Sequence, residues 1–220
     1  MNLHVLLWDS LFYPFRDCKR FLTVIILMFS VFLVIPGFLA GGYFFRVVEA
    51  TLSGQEKLPS FDNKKELLVN GLKYLGWSLF YSTPCILIFL SLFLVGTPVD
   101  MNSSVSKVFF SGLSFLIAIV SMMGLANMVH ENRFMAAFNF IRIFQLIKII
   151  KWKKYLIYIA IYCLIVSLLT KIPSEIIYYI SKQPHTLTLL LTGVIILYTL
   201  LIYSSIFSSR FIGLIYPPKE

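Results

Sequence analysis

Apolar residues run through this chain in long uninterrupted blocks, not in the alternation of a strand. Residues 21–45, 74–99, 108–129 and 186–209 each hold no charged side chain. Each exceeds the roughly 18 residues a helix needs to cross a bilayer core about 30 Å thick. Residues 155–170 form a shorter block, flanked by Trp152, Tyr155 and Tyr158. The pattern predicts an all-α, polytopic membrane helix bundle with about four full spans and one broken segment. The ten-residue alternating segments of a membrane β-barrel are absent.

Between the blocks the pattern changes. At 1–20, Leu3, Leu6, Leu7, Leu11, Phe12 and Phe15 recur at helical spacing, which predicts an interfacial amphipathic helix. The block at 21–45 carries Pro36-Gly37 in its middle and Gly41 near its end. Proline breaks the helical ladder, so this block either crosses once with a kink or turns back as a re-entrant hairpin. Residues 46–73 form a polar elbow, with Ser53-Gly54 ending one helix and Asn63 capping the next as a capping box with Glu66. The span at 74–99 contains Pro84, which predicts a kink. Asn102-Ser103-Ser104, in the loop that follows, matches a glycosylation sequon, a short motif common by chance. The span at 108–129 leads into a second elbow at 130–154, and the span at 155–170 precedes a short outer helix at 173–181. The last span is 186–209. The two elbows are alike enough to suggest a duplication. The whole, 1–220, reads as a single membrane domain.

Composition agrees with this reading. The chain is 59% hydrophobic and 13% charged, with mean hydropathy +0.86, where soluble chains carry about 25% charged residues. The net charge of +9 would suggest nucleic acid in a soluble protein. Here it marks loops held on the cytoplasmic face of a cell membrane, and no nucleic-acid partner is expected. If 21–45 is a hairpin, sixteen of the 19 Lys and Arg residues lie on the cytoplasmic side. If it crosses once, thirteen do. The count favours the hairpin, and both schemes place the two elbows and the C-terminus in the cytoplasm.

Candidate chemistry is sparse. Cys18, Cys85 and Cys163 lie far apart without partners at metal-ligand spacing, and His4, His130 and His185 are scattered. No phosphate loop, zinc signature or nucleophile elbow occurs. The apolar blocks carry no ionisable groups of the kind that mark ion paths. Neither an enzymatic activity, a metal nor a cofactor is expected.

The elbow at 46–73 and its approaches resemble a known signature. Gly-Gly-Tyr-Phe-Phe-Arg-Val at 41–47, Leu-Pro-Ser-Phe-Asp-Asn at 58–63 and Glu-Leu-Leu-Val-Asn-Gly-Leu-Lys at 66–73 resemble an archaeal and bacterial family of multi-pass membrane proteins of unknown function. Tyr13 to Asp17, the 131–138 stretch, and Gly213 with Tyr216 fit the same pattern, so the resemblance covers nearly the whole chain. Asn63 and Asn70 stand where that pattern more often has Asp, which makes this elbow less acidic. The resemblance implies a membrane fold and no catalytic residues.

Two functions remain open. The first is a non-enzymatic scaffold or accessory subunit that binds anionic membrane lipids or a partner protein. Its candidate residues are Arg133, Arg142, Lys148, Lys151, Trp152, Lys153 and Lys154 in the second elbow, with Lys64 and Lys65 in the first. The alternative is a carrier or channel for a small apolar or lipid-like solute, with Pro36, Gly37, Gly41 and Pro84 shaping a cavity.

Overall fold

The structure, a computed structural model, describes residues 3–29, 34–94, 103–181 and 187–217. These fold as helix and turn, with no strand among them. The helices are α1 (Leu3–Phe12), α2 (Cys18–Phe29), α3 (Val34–Leu52), α4 (Lys64–Leu94), α5 (Ser104–Glu131), α6 (Phe140–Ile150), α7 (Trp152–Ser181) and α8 (Leu187–Ile215). Short 3-10 turns at Tyr13–Asp17 and Phe134–Phe138 join α1 to α2 and lead into α6. Four helices, α4, α5, α7 and α8, are long and apolar enough to cross a membrane.

Several boundaries differ from the sequence pattern. The first elbow's helix and the span after it are one helix, α4, whose 31 residues extend about 46 Å. The outer helix expected at 173–181 is the continuation of α7, and the last span runs past Arg210 to Ile215. The asparagine of the sequon lies outside the described residues, as does the loop at 95–102. Ser103 is described, and its Oγ accepts the Ser106 amide at 3.1 Å to cap α5.

The block at 21–45 is two helices. They are described as α2 up to Phe29 and α3 from Val34, and Pro36-Gly37 lies within α3. Pro36 sits in the first turn of α3, where its missing N–H would have had no helical partner, so it starts a helix instead of breaking one. Arg20, at the start of α2, donates to the Leu58 carbonyl beyond the end of α3. Val24 of α2 shares a buried cluster with Tyr43 and Val47 of α3. The two helices therefore run antiparallel, and the block begins and ends at the same end of the bundle.

Close approach of α3 and α4 depends on two glycines. A Cβ on Gly42 would lie 1.9 Å from the Leu67 carbonyl oxygen, and one on Gly71 would lie 1.9 Å from that of Phe38. Gly41 is nearly as tight, 3.3 Å from the Tyr74 ring, whereas Gly37 faces open space. The close contact between the two helices is thus made by Gly42 and Gly71, with Gly41 beside them.

A loop without secondary structure, residues 55–62, is held by side chains from four directions. Arg210 donates to the Gln55 carbonyl at 2.6 Å, Arg16 to Glu56 at 3.2 Å and Tyr13 to Lys57 at 2.9 Å. Arg20 takes Leu58, and Tyr43 takes Pro59 at 3.3 Å. Arg46 takes Ser60 and Asp62 at 3.0 and 2.6 Å. Buried or half-buried carbonyls need donors, and arginine offers several in a fixed fork. Arg210 is 5% exposed and also pairs with Asp9 at 2.8 Å. Its guanidinium lies 4.3 Å from the centre of the Tyr13 ring. Burial pushes the Tyr13 hydroxyl above its ordinary range, against the pull of Arg210 and Arg16, so it stays a neutral donor.

The core is concentrated at this end. Ile119 to Val129 of α5 is largely buried, as are Tyr155 and Ile159 of α7 and Ile206, Phe207 and Phe211 of α8. The opposite ends of the long helices expose Leu94, Val105, Val108, Leu168 and Leu191.

Two substitutions test these contacts. Gly71→Ala has to push α3 from α4 and should cost about 1–3 kcal/mol, read as a lower apparent Tm in detergent, while Gly37→Ala should leave the Tm unchanged or raise it. Arg210→Met leaves Asp9 with Arg16 as its ion-pair partner and takes the donor from the Gln55 carbonyl, and should cost about 1–3 kcal/mol. Lys57→Ala, which alters a side chain but keeps the bonded carbonyl, should be neutral in the same assay.

Candidate functional site

The second elbow starts where α5 ends. Asn132 takes a left-handed conformation, φ 51°, and its amide donates back to Val129. The 3-10 turn that follows is anchored from inside: buried Asn127 donates to the Ala136 carbonyl at 2.9 Å, and Tyr81 donates to Ala137 at 2.8 Å. Asn139 then caps α6, its side-chain oxygen accepting the Arg142 amide at 3.1 Å. Ile143, Leu146 and Ile147 face the core. Phe140, Ile141, Phe144 and Ile149 face outward with Arg142 and Lys148. An amphipathic helix with apolar and basic groups on its free face suits a membrane interface. Lys151, at φ 75°, breaks the chain between α6 and α7 and lets Trp152 stack on Phe144 with ring centres 5.9 Å apart.

The first elbow joins it. Asn63 accepts the Glu66 amide at 3.4 Å, one half of the expected capping box, while the Glu66 carboxylate accepts from the Asn63 side-chain amide, at 3.0 Å, in place of its backbone N–H. Lys73 donates to Asn132 Oδ1 at 2.8 Å, which ties the two elbows together. Each elbow follows a helix ended by a left-handed residue, Gly54 or Asn132, and leads to an asparagine-capped helix. Only the second splits its amphipathic helix from the span.

Arg133, Arg142, Lys148, Lys151, Trp152, Lys153, Lys154, Lys64 and Lys65 are all exposed. None takes part in the described ion pairs, which use Arg16, Arg20, Arg46 and Arg210. Lys151 and Lys154 lie beside a groove of about 400 Å³ between α1, the α6–α7 junction and the end of α8. A neighbouring hollow of about 600 Å³ is lined by Glu49, Ser53, His130, Asn132 and Tyr216 among others.

A third cavity, about 300 Å³, lies among α4, α5, α7 and α8. Its lining includes Ser121, Ser204, Ser205, Ser208 and Ser209 with Trp77 and Tyr162. Tyr162 donates to Ser208 Oγ at 2.9 Å, and Trp77 Nε1 to the Ser121 carbonyl at 3.1 Å. None of Pro36, Gly37, Gly41 and Pro84 lines these three cavities. Gly41 and its neighbours instead lie where α3 and α4 touch.

Sequence pattern alone does not single out Arg210, Asn127 or the serines of α8. The visible signal was a Ser-Ser pair repeated at helical spacing, 204–205 and 208–209, just before Arg210. Among the described residues, no three His, Cys, Asp or Glu side chains gather in a metal-binding group.

No solved structure matches this chain. It is similar to an uncharacterised protein of Methanocaldococcus jannaschii, MJ1189, at 26% identity over 92% of this chain and 77% of that protein. A family model described as a protein of unknown function, DUF4013, matches residues 25–179, a stretch that holds α3 to α6, both elbows and the apolar spans of α4, α5 and α7. The chain belongs to the DUF4013 family of proteins of unknown function.

Proposed function

We propose that this protein is a multi-pass scaffold or accessory subunit of the cell membrane, without enzymatic activity, resting its cationic end on the anionic cytoplasmic leaflet. The observation that carries this reading is the division of labour among cations. Four arginines are consumed in holding the first elbow, while Lys64 and Lys65 stay exposed there and Lys148, Lys151, Lys153 and Lys154 stay exposed in the second elbow with Trp152 and Phe144. Free lysines near a leaflet contribute about 1 kcal/mol each through its negative surface potential, and amphipathic aromatic rings favour the headgroup level. In this arrangement α4, α5, α7 and α8 span, and α2–α3 dips in and returns to the cytoplasmic side, covered by α4 and α8.

Two measurements test it. Exposed Cys18 should react with a membrane-impermeant thiol reagent from the same side as a tag on the C-terminus, and labelling from opposite sides would remove the hairpin. Protein isolated in mild detergent should retain anionic lipid or a partner by native mass spectrometry, and a bare monomer would remove the scaffold.

The serine-lined cavity supports a second reading, a carrier. Its lining is mostly apolar, with Met122, Leu125, Val166 and Ile212 beside serines whose hydroxyls donate back to their own helix, and it suits a small apolar or amphiphilic solute. Ser208→Cys, in a chain with its three cysteines replaced, should then react with a small water-soluble thiol reagent; a silent thiol would leave the cavity as packing space.

A further inference from the structure

We infer that the groove between α1, the α6–α7 junction and the end of α8 is a binding site for one phospholipid with a net negative headgroup. The inference rests on the proposed seating of the cationic end on an anionic leaflet and gives that seating a defined pocket.

The groove of about 400 Å³ has two kinds of wall. Leu6, Ile150 and Ile215 make it apolar, while Lys151 and Lys154 bring two cations to it and no acidic residue lines it. Glu131 acts on it only from a distance, through its effect on Tyr216, where Arg142 opposes it. Neither lysine belongs to a described ion pair. The Lys154 ammonium instead lies 5.7 Å from the centre of the Tyr158 ring. Two uncompensated ammonium groups beside an apolar trough are complementary to a ligand with an anionic head and a greasy body. A free phosphate would match the lysines and leave the apolar wall unused.

The backbone adds a second observation. Lys151 holds φ 75°, a conformation that costs a residue with a Cβ and belongs to glycine elsewhere. The kink places Lys151 between α6 and α7, and with Lys154 one turn on, both cations lie along one groove wall. Retained strain of this kind is concentrated where a site is being shaped. The location agrees: Tyr158 and Tyr216 line the groove, and Trp152 lies next to Lys151, as aromatic side chains do at headgroup level.

The test compares lipid binding by the whole purified protein in neutral detergent. Phosphatidylglycerol should bind and raise the apparent Tm, whereas phosphatidylcholine and inorganic phosphate should not. Lys151→Ala with Lys154→Ala should weaken phosphatidylglycerol roughly tenfold or more, while Lys57→Ala with Lys107→Ala, which removes the same charge away from the groove, should leave it near the parent value. Helical content by circular dichroism checks that both variants fold, and if the groove pair fails to fold, Ile150→Trp, which fills the trough and keeps both cations, replaces it with the same expected loss. Anionic-lipid binding that survives either groove variant overturns the groove and leaves the general seating intact. Equal effects of inorganic phosphate overturn the lipid as occupant. No preference for phosphatidylglycerol in the parent protein overturns both readings.

Discussion

Residues 55–62 form neither helix nor strand, so their carbonyls have no ladder to join. In an oily protein that is a serious liability, because a buried carbonyl without a donor costs on the order of 1–3 kcal/mol. Here the donors come from everywhere else: Tyr13, Arg16 and Arg20 from the N-terminal segment, Tyr43 and Arg46 from α3, and Arg210 from α8. One loop thereby gathers helices that are more than 150 positions apart in the chain, as Arg210 and Gln55 are. The cluster of Tyr13, Val24, Tyr43 and Leu58 packs against it and buries the Tyr43–Pro59 bond, while the bonds to Glu56 and Asp62 stay exposed.

That arrangement explains why the buried core gathers at one end of the bundle. Apolar contact between helices is worth little when lipid can replace it. Polar contacts that lipid cannot replace are collected at the cationic end, and the buried residues collect with them. Further in, the same logic operates through hydroxyls and ring nitrogens. Tyr155 donates to the Ile119 carbonyl at 2.6 Å, Tyr203 to Leu11 at 2.7 Å and Trp77 to Ser121 at 3.1 Å. Each ties neighbouring helices together through a backbone oxygen that is already helical and has a lone pair to spare.

Block length and composition made the helical membrane fold legible, since few soluble folds tolerate four such blocks. The Asn63 cap, paired with Glu66, was legible because it is local. What stayed hidden was long-range. Arg16, Arg20, Arg46 and Arg210 look the same in sequence as the free lysines, and only the folded chain separates donors spent on carbonyls from charges left for solvent or lipid. Gly42 and Gly71 were also hidden, because their partner atoms, the Leu67 and Phe38 carbonyls, lie on another helix. Pro36 misled for a different reason: proline tolerates a helix start as readily as it breaks a helix interior, and the sequence does not say which of the two it does here.

Arginine and lysine therefore do different work in this chain, and the difference is physical. Guanidinium is weakly hydrated and forked, so burying it against carbonyls is feasible, whereas ammonium is compact and strongly hydrated and belongs at a wet boundary. The two arginines outside the described ion pairs, Arg133 and Arg142, sit exposed in the second elbow, beside the lysines and away from the carbonyl collar. A structural collar of arginines with an outer rim of lysines lets one end of the bundle be rigid inside and adhesive outside. Rigidity fixes where the rim cations lie relative to the apolar groove, and a fixed spacing of charge and oil is what separates recognition of a particular amphiphile from general attraction to a charged surface.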